Sequence, residues 1–145
     1  MFTIWTFAII LNKENQVLIY HRNDYDLWNL PWWKVETSES PWKAVIREVK
    51  EETWLDVKVK QLYGVYSKPE TDEIVFQFVC EVTGGELTLN DEARAIEYFD
   101  KDNLPAKMAP KQIERINDYF SDTLRPVIKE QFGKWAIQLI KEGKF

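Results

Sequence analysis

The stretch SPWKAVIREVKEET, Ser40 to Thr53, constrains the chain most, because it reads as one helix with three separate faces. Ser40 stands at the N-cap and Pro41 at the first helical position, where a missing N–H is no loss. At about 100° per residue, Glu48, Glu51 and Glu52 fall within an arc of about 100°. Trp42, Val45, Ile46 and Val49 fall on a neighbouring arc, which is expected to face a core. Lys43 and Lys50 point to solvent, and Arg47 lies beside the carboxylates, four residues before Glu51. A helix with one apolar arc must bury it against another element, and the segments on either side read as strands.

Thr3–Leu11 has strand character, NKEN is a turn, and QVLIYHR is a second strand, which together predict a hairpin. RNDYDLWNLP is a loop leading into the helix. Beyond the helix, DVKVKQLYGVYS and EIVFQFVCEV read as strands joined by a turn at KPETD, TGG closes the second, and AIEYFD is a short strand. APKQIERINDYF carries Ile113, Ile116 and Phe120 at amphipathic helical spacing. The tail from Pro126 to Phe145 spaces Phe132, Trp135, Ala136, Leu139 and Ile140 as a further short helix. No repeat, low-complexity tract or linker interrupts the order. One α/β domain is therefore expected over residues 1–145, with 126–145 as its C-terminal helical extension.

A chain of 145 residues, 45% apolar and 30% charged, has the balance of a soluble globular domain. Its formal charge of -5 argues against a nucleic-acid polymer as partner. A phosphorylated small molecule stays compatible, because a divalent cation inverts the local field. Cys80 and His21 are each the only residue of their kind, which removes disulfides, thiolate zinc sites and histidine-dependent triads. The opening FTIWTFAIIL lacks a basic n-region and a cleavage site, and is too short to span a bilayer. It reads as a buried strand, so no membrane partner is expected and a cytoplasmic location is the default.

Three carboxylates on one arc repel each other by about 0.2–0.5 kcal/mol per neighbouring pair. They also sit toward the helix C-terminus, where the backbone dipole disfavours anions. A cation would balance them, and oxygen ligands without thiolate or imidazole suit Mg²⁺ or Mn²⁺. A solvated acidic face fits the helical pattern equally well. The order of residue types around the acids tips the balance.

Glu39, seven residues, Arg47-Glu48-Val49-Lys50-Glu51-Glu52 and then Trp54-Leu55 resembles the Nudix hydrolase signature. That signature is a glycine, five residues, Glu, seven residues, Arg-Glu, an aliphatic residue, any residue, Glu-Glu, any residue, a glycine and an aliphatic residue. LWNLP before it and YFDKDNLP near the end are also similar to the family, and Trp28 matches a common aromatic position. The resemblance implies a Nudix-type α/β/α sandwich, with a mixed β-sheet between helices. It implies hydrolysis of a nucleoside diphosphate linked to another group, by water attack on phosphorus, with Mg²⁺ or Mn²⁺ bridging the diphosphate.

Carried over by position, Glu51 and Glu52 are metal ligands, and Glu48 is a further ligand or the general base. Arg47 orients the carboxylates by pairing with Glu39, itself a supporting metal contact. The carbonyl of residue 32, here Trp32, faces the metal. Glu92, six residues before Tyr98, stands where the family adds a loop carboxylate, with Asp91 and Glu97 as lesser candidates. An exposed loop acid is the plain alternative for Glu92. Arg22, at the end of the second strand, suits a substrate phosphate and equally an ordinary surface arginine. His21 is expected on the other strand face.

The chain departs from the pattern at Trp32, Trp33 and Trp54, where the family has glycine. Ser38 replaces a further glycine, and Lys43 breaks the capping box with Ser40. Position 54 follows the helix, where glycine commonly turns left-handed, and tryptophan there costs about 1–2 kcal/mol. A net stability of about 5–15 kcal/mol absorbs that. Catalysis is less tolerant, since a displacement of about 1 Å costs about a hundredfold in rate, so impaired activity is expected. Trp33 and its neighbours instead line the substrate cleft and stack on a ring. Three replacements by one bulky residue read as alteration of an active parent, by engineering or by divergence. The alternative function is a weakened scaffold acting as a ligand-binding or self-assembling module, with the indoles and the apolar tail in a homodimer contact.

Overall fold

Two facing apolar clusters, one on each side of a single sheet, organise the chain. The computed structural model describes residues 1–89, 91 and 93–145. The sheet consists of β1 (Thr3–Leu11), β2 (Val17–Arg22), β3 (Trp28–Asn29), β4 (Trp32–Lys34), β5 (Leu55–Lys68), β6 (Glu73–Gly85), β7 (Ala93–Phe99) and β8 (Val127–Glu130). Helices α1 (Pro41–Thr53), α2 (Pro110–Phe120) and α3 (Ala136–Lys141) complete it.

The order across the sheet is β3-β2-β1-β6-β5-β8, with β4 added to β1 and β7 to β2. β1 runs parallel to β6, from Thr3 opposite Glu73 to Leu11 opposite Glu81, whereas β5 and β6 are antiparallel. The sheet is therefore mixed. Successive side chains of β1 point to opposite faces, and both faces are apolar. Phe7, Ile9 and Leu11 enter one cluster with Ile116 of α2, while Ala8 and Ile10 enter the other with Val45 and Val49 of α1. Helices cover both faces, as the expected α/β/α sandwich requires.

α1 occupies the span read from the sequence, but two details differ. Trp42 and Ile46 are 53% and 40% exposed, and the buried residues of the helix are Ala44, Val45, Val49 and Thr53. The apolar arc is right in direction, but the cluster it meets takes in Val45 and Val49 and leaves Trp42 and Ile46 outside it. Ser40 holds the N-cap backbone position, but its hydroxyl makes no capping bond. The loop before the helix contains two short strands, β3 and β4. The tail expected to be helical opens instead with β8, parallel to β5, and turns into α3 only at Ala136. The β-branched Val127 and Ile128 satisfy that sheet edge before helical spacing begins.

Candidate active site

Arg47 sits mid-way along α1 and gathers three of the expected acids. Its Nε and Nη2 donate to Glu39 Oε2 and Oε1 at 2.9 and 3.1 Å. Nη1 donates to both oxygens of Glu51 at 3.2 and 3.1 Å, and Nη2 lies 3.1 Å from Glu48 Oε1. The two-pronged contact with Glu39 is the geometry in which guanidinium and carboxylate bind most strongly. Glu39 first, then Glu51, hold the guanidinium well above its ordinary range. Arg47 thus relieves the repulsion among the acids and fixes their orientation.

Glu52 points elsewhere. One residue further round the helix, it turns toward the sheet, where Trp33 Nε1 donates to its Oε1 at 2.8 Å and the Tyr20 hydroxyl to its Oε2 at 3.3 Å. Trp33 is 8% exposed and packs in the α1-side cluster, so its indole serves mainly as wall and as donor to Glu52. Among the described residues, no three acidic, histidine or cysteine side chains converge into a metal cage. Glu92 lies outside the described residues. Asp91 is exposed, its carbonyl accepting from Asn23 Nδ2, and Glu97 is exposed on β7.

β4 presents the residue-32 carbonyl by its register. Ala8 N–H donates to Pro31 O and Val35 N–H to Ile4 O. The intervening pair Phe7/Trp32 is therefore of the non-hydrogen-bonded kind, and the Trp32 carbonyl is turned out of the β1–β4 ladder. The Trp32 ring stacks on Phe7, with centroids 6.0 Å apart. Carboxylates plus one such carbonyl, without thiolate or imidazole, suit a hard divalent ion. To receive one, Glu48 and Glu51 must share oxygens with Arg47, and Glu52 with Trp33.

Arg22 ends β2 at a bulge. Its Nε and Nη2 both donate to Asp24 at 2.7 Å, and the guanidinium lies 5.2 Å from the Trp32 ring centroid. Those bonds hold the Asp24 carboxyl below its usual range, so a phosphate would compete with Asp24 for Arg22. His21 takes the opposite face, stacked on Trp28 at 4.4 Å and bonded to Asp26 at 2.9 Å, away from the acids as expected. A cleft of about 520 Å³ is lined by Trp5, Tyr20, Arg22, Trp32, Trp33 and Glu52 among others, and among the described residues Glu52 is the one expected acid in that lining. Sequence reasoning missed Trp5 and Tyr20. Period-two alternation puts Tyr20 opposite His21, a usable signal; the place of Trp5 depends on how β1 pairs with β4, which the sequence does not display.

A family model described as the NUDIX domain matches residues 1–120. The chain is 42% identical over 117 residues to an ADP-ribose pyrophosphatase of Methanocaldococcus jannaschii, covering 76% of this chain and 69% of that protein. It is 32% identical over 144 residues to a putative 8-oxo-dGTP diphosphatase of Bacillus subtilis, covering 97% of both. Among solved structures, an ADP-ribose pyrophosphatase from Streptococcus suis superposes with a TM-score of 0.70 at 25% identity, over 90% of this chain and 100% of that one. A NUDIX hydrolase from Nitrosomonas europaea gives 0.77 at 19% identity, over 89% and 78%, a likeness of fold alone.

Proposed function

The chain belongs to the Nudix family of hydrolases, and from that premise we propose that it cleaves a nucleoside diphosphate linked to another group, with Mg²⁺ or Mn²⁺ held at the acids of α1. The observation that carries the reading is the C-terminal half of α1, from Arg47 onward. Arg47 there orients Glu39, Glu48 and Glu51, while Glu52 reaches the cleft.

Glu51, Glu52 and Glu48 would hold the cation, with the Trp32 carbonyl and Glu92 in support. When bound, the cation neutralises the diphosphate and lowers the pKa of water. Arg47 and Glu39 keep the carboxylates in place, and Glu48 accepts the proton of the attacking water. Arg22 exchanges Asp24 for a substrate phosphate at the cleft mouth. The Trp33–Glu52 hydrogen bond occupies a ligand oxygen that glycine at position 33 would leave available. Activity is therefore weakened.

The two relatives act, by their names, on different nucleotides, so the substrate panel must include ADP-ribose and oxidised nucleoside triphosphates. Product release with and without Mg²⁺ or Mn²⁺ tests the reading. Turnover is expected to require the metal and to fall about 100-fold or more in Glu51→Gln and in Glu52→Gln, since even groups that merely support metal ligands are worth about 10–100-fold. Metal-independent turnover, or rates unchanged in both variants, overturns it. No helix among the described residues is long and apolar enough to cross a membrane; a cytoplasmic location and a small-molecule rather than polymer substrate belong to the same proposal. Exposed Trp42 and Trp54 extend it to a homodimer, which light scattering across protein concentration would reveal or deny.

A further inference from the structure

Behind the acidic cleft lies a second cavity of about 220 Å³, which shares Trp5, Arg22, Asn29 and Trp32 with it. Its far wall is Trp135, Ala136 and Ile137. Those residues lie beyond residue 120, where the family match ends. We propose that this C-terminal extension is a specificity element of the enzyme, and that the Trp135 indole is the wall against which a planar, N–H-bearing heterocycle of the substrate lies. The proposal rests on the hydrolase reading and names which part of the substrate the second cavity takes.

The wall is built in and held from several sides. β8 pairs with β5, and Gln131 N–H continues the pairing to Ser67 O. Gln131 Nε2 donates to Lys111 O and to Glu114, each at 2.9 Å. Lys111 Nζ in turn donates to the carbonyls of Gly133 and Lys134 at 2.6 and 2.9 Å, and Gly133 N–H donates to Glu70 Oε1 at 2.9 Å. The indole of Trp135 is packed against Lys68 Nζ, and Lys111 Nζ lies 5.6 Å from its centroid. These contacts fix the position of the ring.

Volume and polarity define the occupant. Whole drug-sized ligands occupy pockets of about 300–1,000 Å³, so 220 Å³ admits one ring system and leaves the diphosphate in the larger cleft beside Glu52. Trp5, Phe7, Leu27 and Trp32 give the cavity apolar sides suited to a flat ring. Its lining carries donors on Arg22 and Gln112 and acceptors on Asn29 and Glu73. Asn29 is 2% exposed, and its Oδ1 has no hydrogen-bond partner among the described residues. A buried acceptor left unmet costs about 1–3 kcal/mol, which a ligand N–H recovers. The Glu73 carboxylate, held by Trp5 Nε1, is a second acceptor on the same wall.

The test is calorimetric binding of nucleoside 5′-monophosphates against ribose 5-phosphate, together with steady-state kinetics on the best substrate. Trp135→Ala is expected to weaken nucleotide binding about tenfold, the scale of one base–aromatic stack, and to leave ribose 5-phosphate unchanged. KM rises by a similar factor while kcat holds, and Trp135→Phe restores both. Should the alanine variant fail its thermal melt, Trp135→Leu keeps the bulk over Lys68 without the aromatic face, and the same loss is expected. Equal losses for the nucleotide and the ring-free ligand, or no loss for either, overturn the inference. If the wild type binds nucleotides through Trp135 yet hydrolyses none, the hydrolase reading falls and the ring site stands.

Discussion

Trp54 closes α1 at φ 65° and ψ 10°, its N–H bonded to Lys50 O at 3.0 Å. The backbone there keeps the left-handed turn that the family reserves for glycine, whatever side chain it carries. β6 runs close by on the other side: a Cβ on Gly85 would stand 2.2 Å from the Trp54 carbonyl oxygen. An L-residue in that conformation costs about 1–2 kcal/mol. With Trp54 58% exposed, the indole returns little of that by burial. Trp54→Gly is therefore expected to raise stability by about 1 kcal/mol, seen as a rise of a few degrees in Tm. A lower Tm would mean the indole packs more than its exposure implies. Ser38 repeats the pattern at φ 66°, so two of the four positions read as glycine sites keep a left-handed backbone, whereas Trp32 and Trp33 lie in β4 and are not among the positive-φ residues.

At the scale of elements, what was legible followed from local spacing. α1 and its N-cap position rest on helix periodicity, the Arg47–Glu39 pair on the resemblance to the Nudix signature, and each is present. Contacts set by strand pairing were not legible. Glu52 meets Trp33 only because β4 adds to β1, and Lys68 meets Trp135 only because β8 adds to β5. Trp42 was misread because the arc of a helix says nothing about where its covering layer ends.

The Lys68 contact also has a pH signature. Burial, opposed in part by Glu73, pushes the Lys68 ammonium down to about 7 from 10.5. Below about pH 7 the folded and unfolded chains both carry the proton, and the desolvation penalty is fully expressed. Above it the unfolded chain binds the proton and the folded chain does not, so stability rises with pH. Lys111 is lowered for the same reason and adds with the same sign. Cys80, pushed up to about 12 from 9.0, opposes the trend above pH 9. The urea midpoint is expected to rise from pH 7 to pH 9, and Lys68→Met to flatten that rise while being the more stable protein at pH 7. An equally steep rise in the variant would remove Lys68 as its source.

At the scale of the whole molecule, the sandwich brings three distant segments to one carboxylate. Tyr20 comes from β2, Trp33 from β4 and Glu52 from the end of α1. The fold is thereby knitted through the carboxylate that the proposed function assigns to a cation, and under that proposal the two demands compete. A hydrogen bond to a charged group contributes about 1.5–3 kcal/mol, energy that a metal must recover to claim the same oxygen. Trp33→Phe separates the demands, because the ring still fills the α1-side cluster while its Nε1 donor is gone. Losing that bond together with the larger ring is expected to cost about 2–4 kcal/mol of stability. Mn²⁺ affinity, followed by electron paramagnetic resonance, should improve about fivefold or more, equivalent to ~1 kcal/mol released from the competing bond. Glu52→Gln made in the same background must then lose that gain. Were Mn²⁺ affinity unchanged by Trp33→Phe yet lost in Glu52→Gln, the indole would be a bystander to the site, and weakened activity would have to come from the backbone at Trp32 instead.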